Sequence, residues 1–464
     1  MKLTLEKIAE FTGGSVRGNK EITVRNASID SRKLEPDCLF IALKGERTDG
    51  HLYIDQAFAS GAAAALTIRD LYHGNSGAVV ETDDTAVAMG RIAAGILRER
   101  GDSVFKIAVT GSVGKTSTKD MVASVIGGHY ITLKSELNQN NELGLPLTVM
   151  RLDETHEALV TEMGMRGLGQ IEYLTKIVRP DVAIITNIGI SHLETLGTRE
   201  NILRAKLEIC KGMRPGGKLI LNGDNDMLSD EALVQAILEE YGADAIETVY
   251  FGTEENSAYR AENIHGSSYE LFTPSGQHFA VRLRVPGVHN VYNSMAAVCA
   301  ANALGISSEE AVDTLSQFGE EASRQKIVET PWGFVIDDTY NAGPESMAAS
   351  LGVLRDMDAD IKIAALGDML ELGVLSEESH RKVGRLASEA AGVLLAVGPQ
   401  SVIYYDTFDG LRKMHVSDSS EGARVLSPII RDYAQRGLKV GVLVKGSHAI
   451  RMNLISEALI NDFV

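Results

Sequence analysis

The run Thr110-Gly111-Ser112-Val113-Gly114-Lys115-Thr116-Ser117 is where residue types and spacing first suggest chemistry. It follows an apolar stretch and leads into a helical pattern. Backbone N–H groups and a helix N-terminus then converge on one spot, which suits a phosphate chain. Gly111 and Gly114 let the backbone approach phosphate closely, with Ser112, Val113 and Ser117 completing the loop. Lys115 supplies a point charge at the β- and γ-phosphates, and Thr116 a hydroxyl for Mg²⁺. The general pattern has a further glycine where Val109 stands, so this is the shorter G-x-x-G-K-T form. A chance glycine turn before a helix is the competing reading. Against it, strand, turn, Lys-Thr and helix all occur in order.

A nucleoside triphosphate enzyme holds its metal with hard ligands. Two more apolar runs, 158–161 and 182–186, read as buried parallel strands. The first ends in Glu162-Met163-Gly164, the second in Asn187-Ile188-Gly189-Ile190-Ser191-His192. In open α/β sheets ligands collect outside the carboxyl ends of strands, so Glu162 and His192 share an edge with the glycine loop. Taken singly, Glu162 reads equally as a helix cap and His192 as a hydrogen-bonded loop histidine. With Thr116 they form a set for one or two Mg²⁺ ions. Lys206 lies in a helical stretch and, on physics alone, is a surface lysine. Asp337-Asp338 closes an apolar strand, where an acid can receive a ribose hydroxyl or a metal. Arg324, just before it, is placed to reach a γ-phosphate across a cleft, as an arginine finger supplied in cis does.

These groups need a scaffold, and 464 residues are enough for two to four domains. Residues 1–104 form a small α/β unit, with helical spacing at 3–11, a strand at 39–43 and an alanine-rich helix at 53–65 ending near a strand at 64–68. Its polar stretches 28–32 and 44–51 read as solvated turns. Residues 105–318 alternate strand and helix as a mostly parallel, doubly wound sheet does. Residues 319–464 begin a second α/β series, with strands near 334–336, 361–366, 393–397 and 440–444 and a helix over 376–391. The expected fold is therefore α/β in three domains.

Hydrophobic content of 44% and charged content of 23% are those of a globular protein. No apolar run is long enough to span a membrane, and residues 1–16 lack the apolar core of a signal peptide. Cys38, Cys210 and Cys299 are far apart and form no C-x-x-C pair, which argues against zinc or disulfides and for a reducing cytoplasm. The net charge of −18 argues against nucleic-acid binding. It also means that anionic substrates must be held by a few local positive groups and metal ions.

Taken together the motifs resemble the Mur ligases, ATP-dependent amide-forming enzymes of peptidoglycan precursor synthesis. The resemblance covers essentially the whole chain. It rests on Thr161-Glu162-Met163-Gly164-Met165-Arg166-Gly167, Thr186-Asn187-Ile188-Gly189 with Ser191-His192-Leu193-Glu194, and Ala205-Lys206-Leu207-Glu208-Ile209. Gly367-Asp368-Met369-Leu370-Glu371-Leu372-Gly373 and Val444-Lys445-Gly446-Ser447 belong to the same pattern. D-N-P-R, typical of the branch that adds a diamino acid, is absent.

The resemblance implies a uridine-nucleotide-binding N-terminal domain, a central P-loop ATPase and a Rossmann-like C-terminal ligase domain. Its implied substrates are ATP, UDP-N-acetylmuramoyl-tripeptide and D-alanyl-D-alanine, and its implied state a monomer. It places Ser31, Arg32 and the loop from Lys44 near the uridine diphosphate, and Asn141 at the substrate. Glu162 binds the first Mg²⁺ and His192 helps with the second. Lys206 matches a lysine that is carbamylated in this family. Asn293, with Asn290 beside it, matches the adenine contact, and Arg324 and Asp338 match groups that close on phosphate and ribose.

Three positions depart from the family pattern: Leu137 for glycine, Gly343 for asparagine and His448 for arginine. Two other readings share some features. A folylpolyglutamate-type synthetase would have the P-loop and the lysine, but Asp30-Ser31-Arg32 and Asp49-Gly50-His51 speak against it. A guanine-specific switch would carry N-K-x-D after the loop, and none is present.

Overall fold

A computed structural model describes residues 1–46, 48–243, 245–319 and 325–461. Besides a two-stranded antiparallel pair, Leu3–Thr4 with Thr23–Val24, three larger sheets succeed one another along the chain. The first has five strands in the order Ser15–Arg17, Ala78–Thr82, Ala64–Ile68, Cys38–Ile41 and Asn26–Ser28; all pairs but the first are parallel. The helix expected over 53–65 is shorter, Ile54–Ala59, after a 3₁₀ turn at Gly50–Tyr53. Alanine favours a helix, but the next strand begins at Ala64 and its pairing takes those residues.

The central sheet is organised around β1 (Phe105–Thr110), which feeds α1 (Lys115–Gly127). β2 (Ala158–Glu162) and β3 (Val182–Ile185) flank β1 in parallel. From one edge the order is Thr132–Lys134, β2, β1, β3, Lys218–Asn222, Glu247–Gly252, Tyr259–His265, Ser268–Phe272 and His278–Arg282. The chain leaves β1 toward β2 and later returns on the other side with β3. The crevice at the end of β1 is therefore a topological switch point. The antiparallel edge at Tyr259–His265, Ser268–Phe272 and His278–Arg282 was not legible in the sequence. Those strands alternate exposed and buried residues at the rim, a weaker pattern than the continuous apolar runs of β1, β2 and β3.

Each face of the central sheet carries a core. One is shared with the N-terminal unit: Ile8, Met89 and Ile92 belong to the same buried cluster as Leu145, Ile171 and Leu207. The other packs Met121, Val122 and Ile126 of α1 against Val291, Met295 and Val298 of a second long helix. Two helices matter for the site, α2 (Arg199–Leu207) and α3 (Val288–Ala303). Thr198 caps α2 by accepting the Asn201 N–H.

The third sheet has the order Lys326–Thr330, β4 (Gly333–Asp338), β6 (Val440–Lys445), β5 (Ile361–Gly367), Val393–Val397 and Arg412–Val416. The first pair is antiparallel and the rest parallel. α4 (Pro344–Asp356) follows β4, with Pro344 in its first turn, where the missing N–H costs nothing. Register sets Asp338 beside Lys445 on neighbouring strands.

Candidate active site

The strand ends of the central and C-terminal sheets face one cavity of about 850 Å³. Its wall includes Ser112, Val113, Gly114, Lys115, Thr116, Ser117, Asn141, Glu162, His192 and Asn293 from the central part. Asp338, Glu345, Glu371 and Lys445 come from the C-terminal part. Ser31, Arg32 and Lys44 are not in that wall. Arg32 forks onto Asp30 with two bonds of 2.9 Å and holds its carboxyl down at about 2. The backbone of Lys44 pairs with that of Asp49 in an isolated antiparallel bridge. His51, expected in a solvated turn, is buried: its Nδ1 meets Asp49 Oδ1 at 2.6 Å and its Nε2 accepts the Ile68 N–H at 3.1 Å. Arg324 lies outside the described residues.

The glycine loop has the backbone the sequence requires. Gly111 sits at φ +146° and Gly114 at φ +83°, conformations open to glycine and rare for other residues. A Cβ on Gly111 would fall 2.0 Å from Thr186 Oγ1, which itself donates to Val113 O. Gly111→Ala therefore must shift the loop or Thr186. We expect ADP affinity to fall at least about tenfold at a stability cost of about 1–3 kcal/mol, read by titration and melting. Lys115 Nζ donates to Gly111 O at 2.8 Å and Ser112 O at 3.0 Å, so its charge rests on the loop.

Thr116 and Glu162 are joined: Thr116 Oγ1 donates to Glu162 Oε2 at 2.5 Å. Asn140 Nδ2 donates to the other oxygen at 2.7 Å. Glu162 is buried and is no helix cap. Asn141, the candidate from sequence, instead accepts the Gly144 N–H at 2.8 Å and starts the helix Gly144–Met150. Asn140 was missed although it lies in the same Asn-Gln-Asn-Asn run. Spacing alone cannot say which amide in such a run turns inward.

Lys206 is no surface lysine. It is 1% exposed, and its Nζ has no hydrogen-bond partner among the described residues. Burial, then the charge of Lys115, pushes its pKa well down, against an opposing pull from Glu162 and Glu208. Glu208, from the same motif, accepts the Gly169 N–H at 2.7 Å and the Glu172 N–H at 3.2 Å. It thereby anchors the start of the helix Gln170–Val178. His192 sits at φ +67°, and its pKa is lowered to about 4 by burial and by Lys206, Lys115 and Arg166. Its Nδ1 lies 3.5 Å from Glu371 Oε2, an exposed carboxylate whose pull solvent weakens. The imidazole is thereby held neutral at pH 7, the form in which it serves as a ligand.

Asn293 and Asn290 do structural work. Asn293 accepts from Thr118 at 3.0 Å and donates to Asn290 at 3.0 Å, while Asn290 donates to Pro286 O at 2.8 Å. This chain ties α3 to α1 just beneath Gly114. Close by, Asp224 accepts from Tyr292 at 2.7 Å and from the Thr253 N–H. Neither Asp224 nor Tyr292 carries a sequence signal beyond nearness to Asn293.

From the C-terminal side, Lys445 Nζ donates to Asp338 Oδ2 at 2.6 Å and to Asn341 O at 3.0 Å, and Ser350 adds a second bond to that carboxylate. The charge of Lys445 and these bonds outweigh burial and hold Asp338 below the usual carboxylate range. The 367–373 and 444–447 motifs brace each other: Ser447 N donates to Asp368 O at 3.0 Å and Leu370 N to Ser447 Oγ at 2.9 Å. Of the departures, Leu137 is 82% exposed at φ +47°, a strained setting for leucine where glycine would be relaxed. Gly343, at φ −148°, needs no glycine. His448 lies against the Tyr340 ring at 5.9 Å.

Among the described residues no three His, Cys, Asp or Glu side chains form a metal cluster. A divalent ion here would take Thr116 and Glu162 and draw its other ligands from phosphate and water, as Mg²⁺ prefers.

Comparison with known proteins agrees with this geometry. Residues 23–95 match the "Mur ligase family, catalytic domain" model, 109–301 the "Mur ligase middle domain" and 323–448 the "Mur ligase, glutamate ligase domain". The UDP-N-acetylmuramoyl-tripeptide--D-alanyl-D-alanine ligase of Bacillus subtilis is 36% identical, covering 96% of this chain and 98% of its own. Its Escherichia coli namesake is 33% identical, covering 99% and 98%. The crystal structure of MurF from Acinetobacter baumannii superposes with a TM-score of 0.89 at 32% identity, covering 99% of each chain. MurF ligase from Thermotoga maritima, solved in complex with ADP, gives 0.79 at 26%, covering 95% and 98%. No described helix is long and apolar enough to cross a membrane. The chain belongs to the Mur ligase family and is an ATP-dependent ligase.

Proposed function

We propose that this ligase joins D-alanyl-D-alanine to UDP-N-acetylmuramoyl-tripeptide in the cytoplasm, as a monomer. The observation that carries the reading is a single cavity bringing the P-loop, Glu162, His192 and the C-terminal Asp338–Lys445 pair together. The names of full-length relatives at 36% and 33% identity supply the substrates. We assign residues 1–104 to the uridine nucleotide, through Ser31, Arg32 and Lys44, residues 105–318 to ATP, and residues 319–464 to the incoming amine. Arg324 is assigned to the γ-phosphate from its sequence position alone.

The reaction has two steps. A carboxylate oxygen of the tripeptide attacks the γ-phosphorus of ATP, forming an acyl phosphate and releasing ADP. The dipeptide amine then attacks the acyl carbon, loses a proton and expels phosphate, leaving an amide. The protein's part is positioning and charge neutralisation. Lys115 faces the transferring phosphoryl group, and His192 is placed at the edge of the metal site. The cavity wall carries Lys115, Arg166 and Lys445 against Glu142, Glu162, Asp224, Asp338, Glu345 and Glu371. Such a wall repels ATP, so binding requires divalent cation. Mg²⁺ held by Thr116 and Glu162, with a second ion near His192, supplies charge neutralisation at the phosphates.

Lys206 fits a carbamate. Its amine is buried, has no hydrogen-bond partner among the described residues and is shifted toward the neutral form, so it can add to CO₂ and lose a proton. The product is a negative ligand where the fold otherwise buries an orphan.

The substrate assignment is tested by phosphate release from ATP with UDP-muramoyl peptides and candidate amines in all combinations. D-alanyl-D-alanine with the tripeptide should give the highest kcat/KM. A single amino acid that outcompetes it would reassign the enzyme to another branch of the family.

A further inference from the structure

Outside the phosphate and metal groups, the segment 187–192 makes a second set of contacts that cross the domain cleft. On its central side it is tied to the glycine loop. Ser112 N donates to Asn187 O at 3.0 Å, Val113 N to Asn187 Oδ1 at 3.0 Å, and Gly189 N to Ser112 Oγ at 2.9 Å. Arg199 of α2 steadies it from below through Ile188 O at 2.7 Å. On the other side the Ile190 side chain packs against the C-terminal core cluster that contains Met347 and Leu351. The N–H of the same residue donates to Glu345 Oε1, in the first turn of α4, at 3.1 Å. Gly189 makes room for this approach, since a Cβ there would lie 2.5 Å from Glu345 Oε1.

The contact is also electrically incomplete. Glu345 Oε2 and Arg199 Nε are both buried, and neither has a hydrogen-bond partner among the described residues. Glu345 adds to the negative field that Asp226 exerts on Arg199. A carboxylate from one domain and a guanidinium from the other thus face the same short strap with unused capacity. Their mutual attraction and the Ile190 bond favour the closed arrangement, while the two unsatisfied atoms, which would return to water on opening, oppose it and leave the two states close in free energy.

We propose that Glu345 is a positioning residue for ligation: by holding Ile190 from across the cleft, it couples docking of the C-terminal domain to the glycine loop through the strap 187–190. The segment that carries His192 is then set in place by the C-terminal domain as well as by its own sheet. The proposal rests on the ligase reading only for the turnover assay, because the docking contact involves no substrate.

The test uses the full-length chain with Ile131→Cys on the central part and Leu411→Cys on the C-terminal part. Both positions are exposed, whereas the native Cys38, Cys210 and Cys299 are buried, so a fluorophore pair labels the introduced thiols selectively. Energy transfer is read without ligand and with MgADP, and turnover separately. In Glu345→Ala the closed-to-open ratio should fall about tenfold, and kcat should fall as the closed fraction does, by up to about tenfold, while KM for ATP and ADP affinity stay within about threefold. Glu345→Gln, which keeps an acceptor for the Ile190 N–H, should recover at least half of the lost docking. Ile190→Ala should open the domains as Glu345→Ala does.

Wild-type energy transfer and kcat in Glu345→Ala would overturn the proposal. So would a lower kcat with equally weakened ADP binding and unchanged transfer, which would make the effect local to the strap. A Gln variant no better than Ala would overturn the assigned hydrogen bond. A wrong substrate assignment would silence turnover in every form and leave the ligand-free transfer difference intact, so the two failures are separable.

Discussion

Lys115→Ala lowers ligation by about 10³-fold or more while the fold melts within a few degrees of the wild type. The expectation follows from where the charge sits. Lys115 opens α1 immediately after Gly114, and its Nζ lies over the loop carbonyls of Gly111 and Ser112. Three negative oxygens pass through the transition state of phosphoryl transfer, and the surrounding wall is acidic. A fixed cation gains its worth there because water cannot replace it. Its loss should appear in kcat more than in KM, since the developing charge, not the ground-state phosphate, is what it faces. The side chain is only partly buried, so the stability effect is small. Turnover within tenfold of wild type would remove the loop lysine from the chemistry. Pre-steady-state phosphate release, with melting as the control, decides it.

Lys206→Ala is expected to be nearly inactive, again by about 10³-fold, and to regain part of its rate when a small carboxylic acid fills the vacated space. The reasoning is electrostatic. An ordinary lysine, pKa ~10.4, is less than about 0.1% neutral at pH 7 and would react poorly with CO₂. Burial and the nearby Lys115 charge push Lys206 far toward the neutral form, and its amine has no partner among the described residues. Lys206→Arg should not be rescued, because the guanidinium stays charged and fills the site. Removing a buried, unsatisfied amine should leave the melting temperature unchanged or raised, apart from the small cavity created. A carbonyl resonance from ¹³C-labelled bicarbonate, present in the wild type and absent in Lys206→Ala, reports the modification independently of turnover. An unmodified amine in active, magnesium-loaded enzyme would refute it.

Much of this protein is legible from sequence because short-range rules decide it. β1, β2 and β3 are continuous apolar runs, the glycines of the loop sit where positive φ is required, and Lys115-Thr116 opens a helix. Parallel strands in a doubly wound sheet carry their polar ends to one edge, so Glu162 and His192 could be placed beside the loop before any contact was known. Local pattern could not give the burial of Lys206. It lies on a helix whose neighbours Ile202, Leu203 and Leu207 pack inward, and only the enclosing core removes its amine from water. The same limit explains Asn140 against Asn141, two adjacent amides of one type, sorted only by the backbone turn that aims one at Glu162 and the other at Gly144. The pairing of Asp338 with Lys445, and the reach of Glu345 to Ile190, join residues 107 and 155 positions apart. Sequence determined the chemistry of each group and the strand end that carries it. Which groups meet, and in what charge state, was decided by the packing of the central and C-terminal sheets around one cleft, because burial and long-range contact are properties of the whole fold.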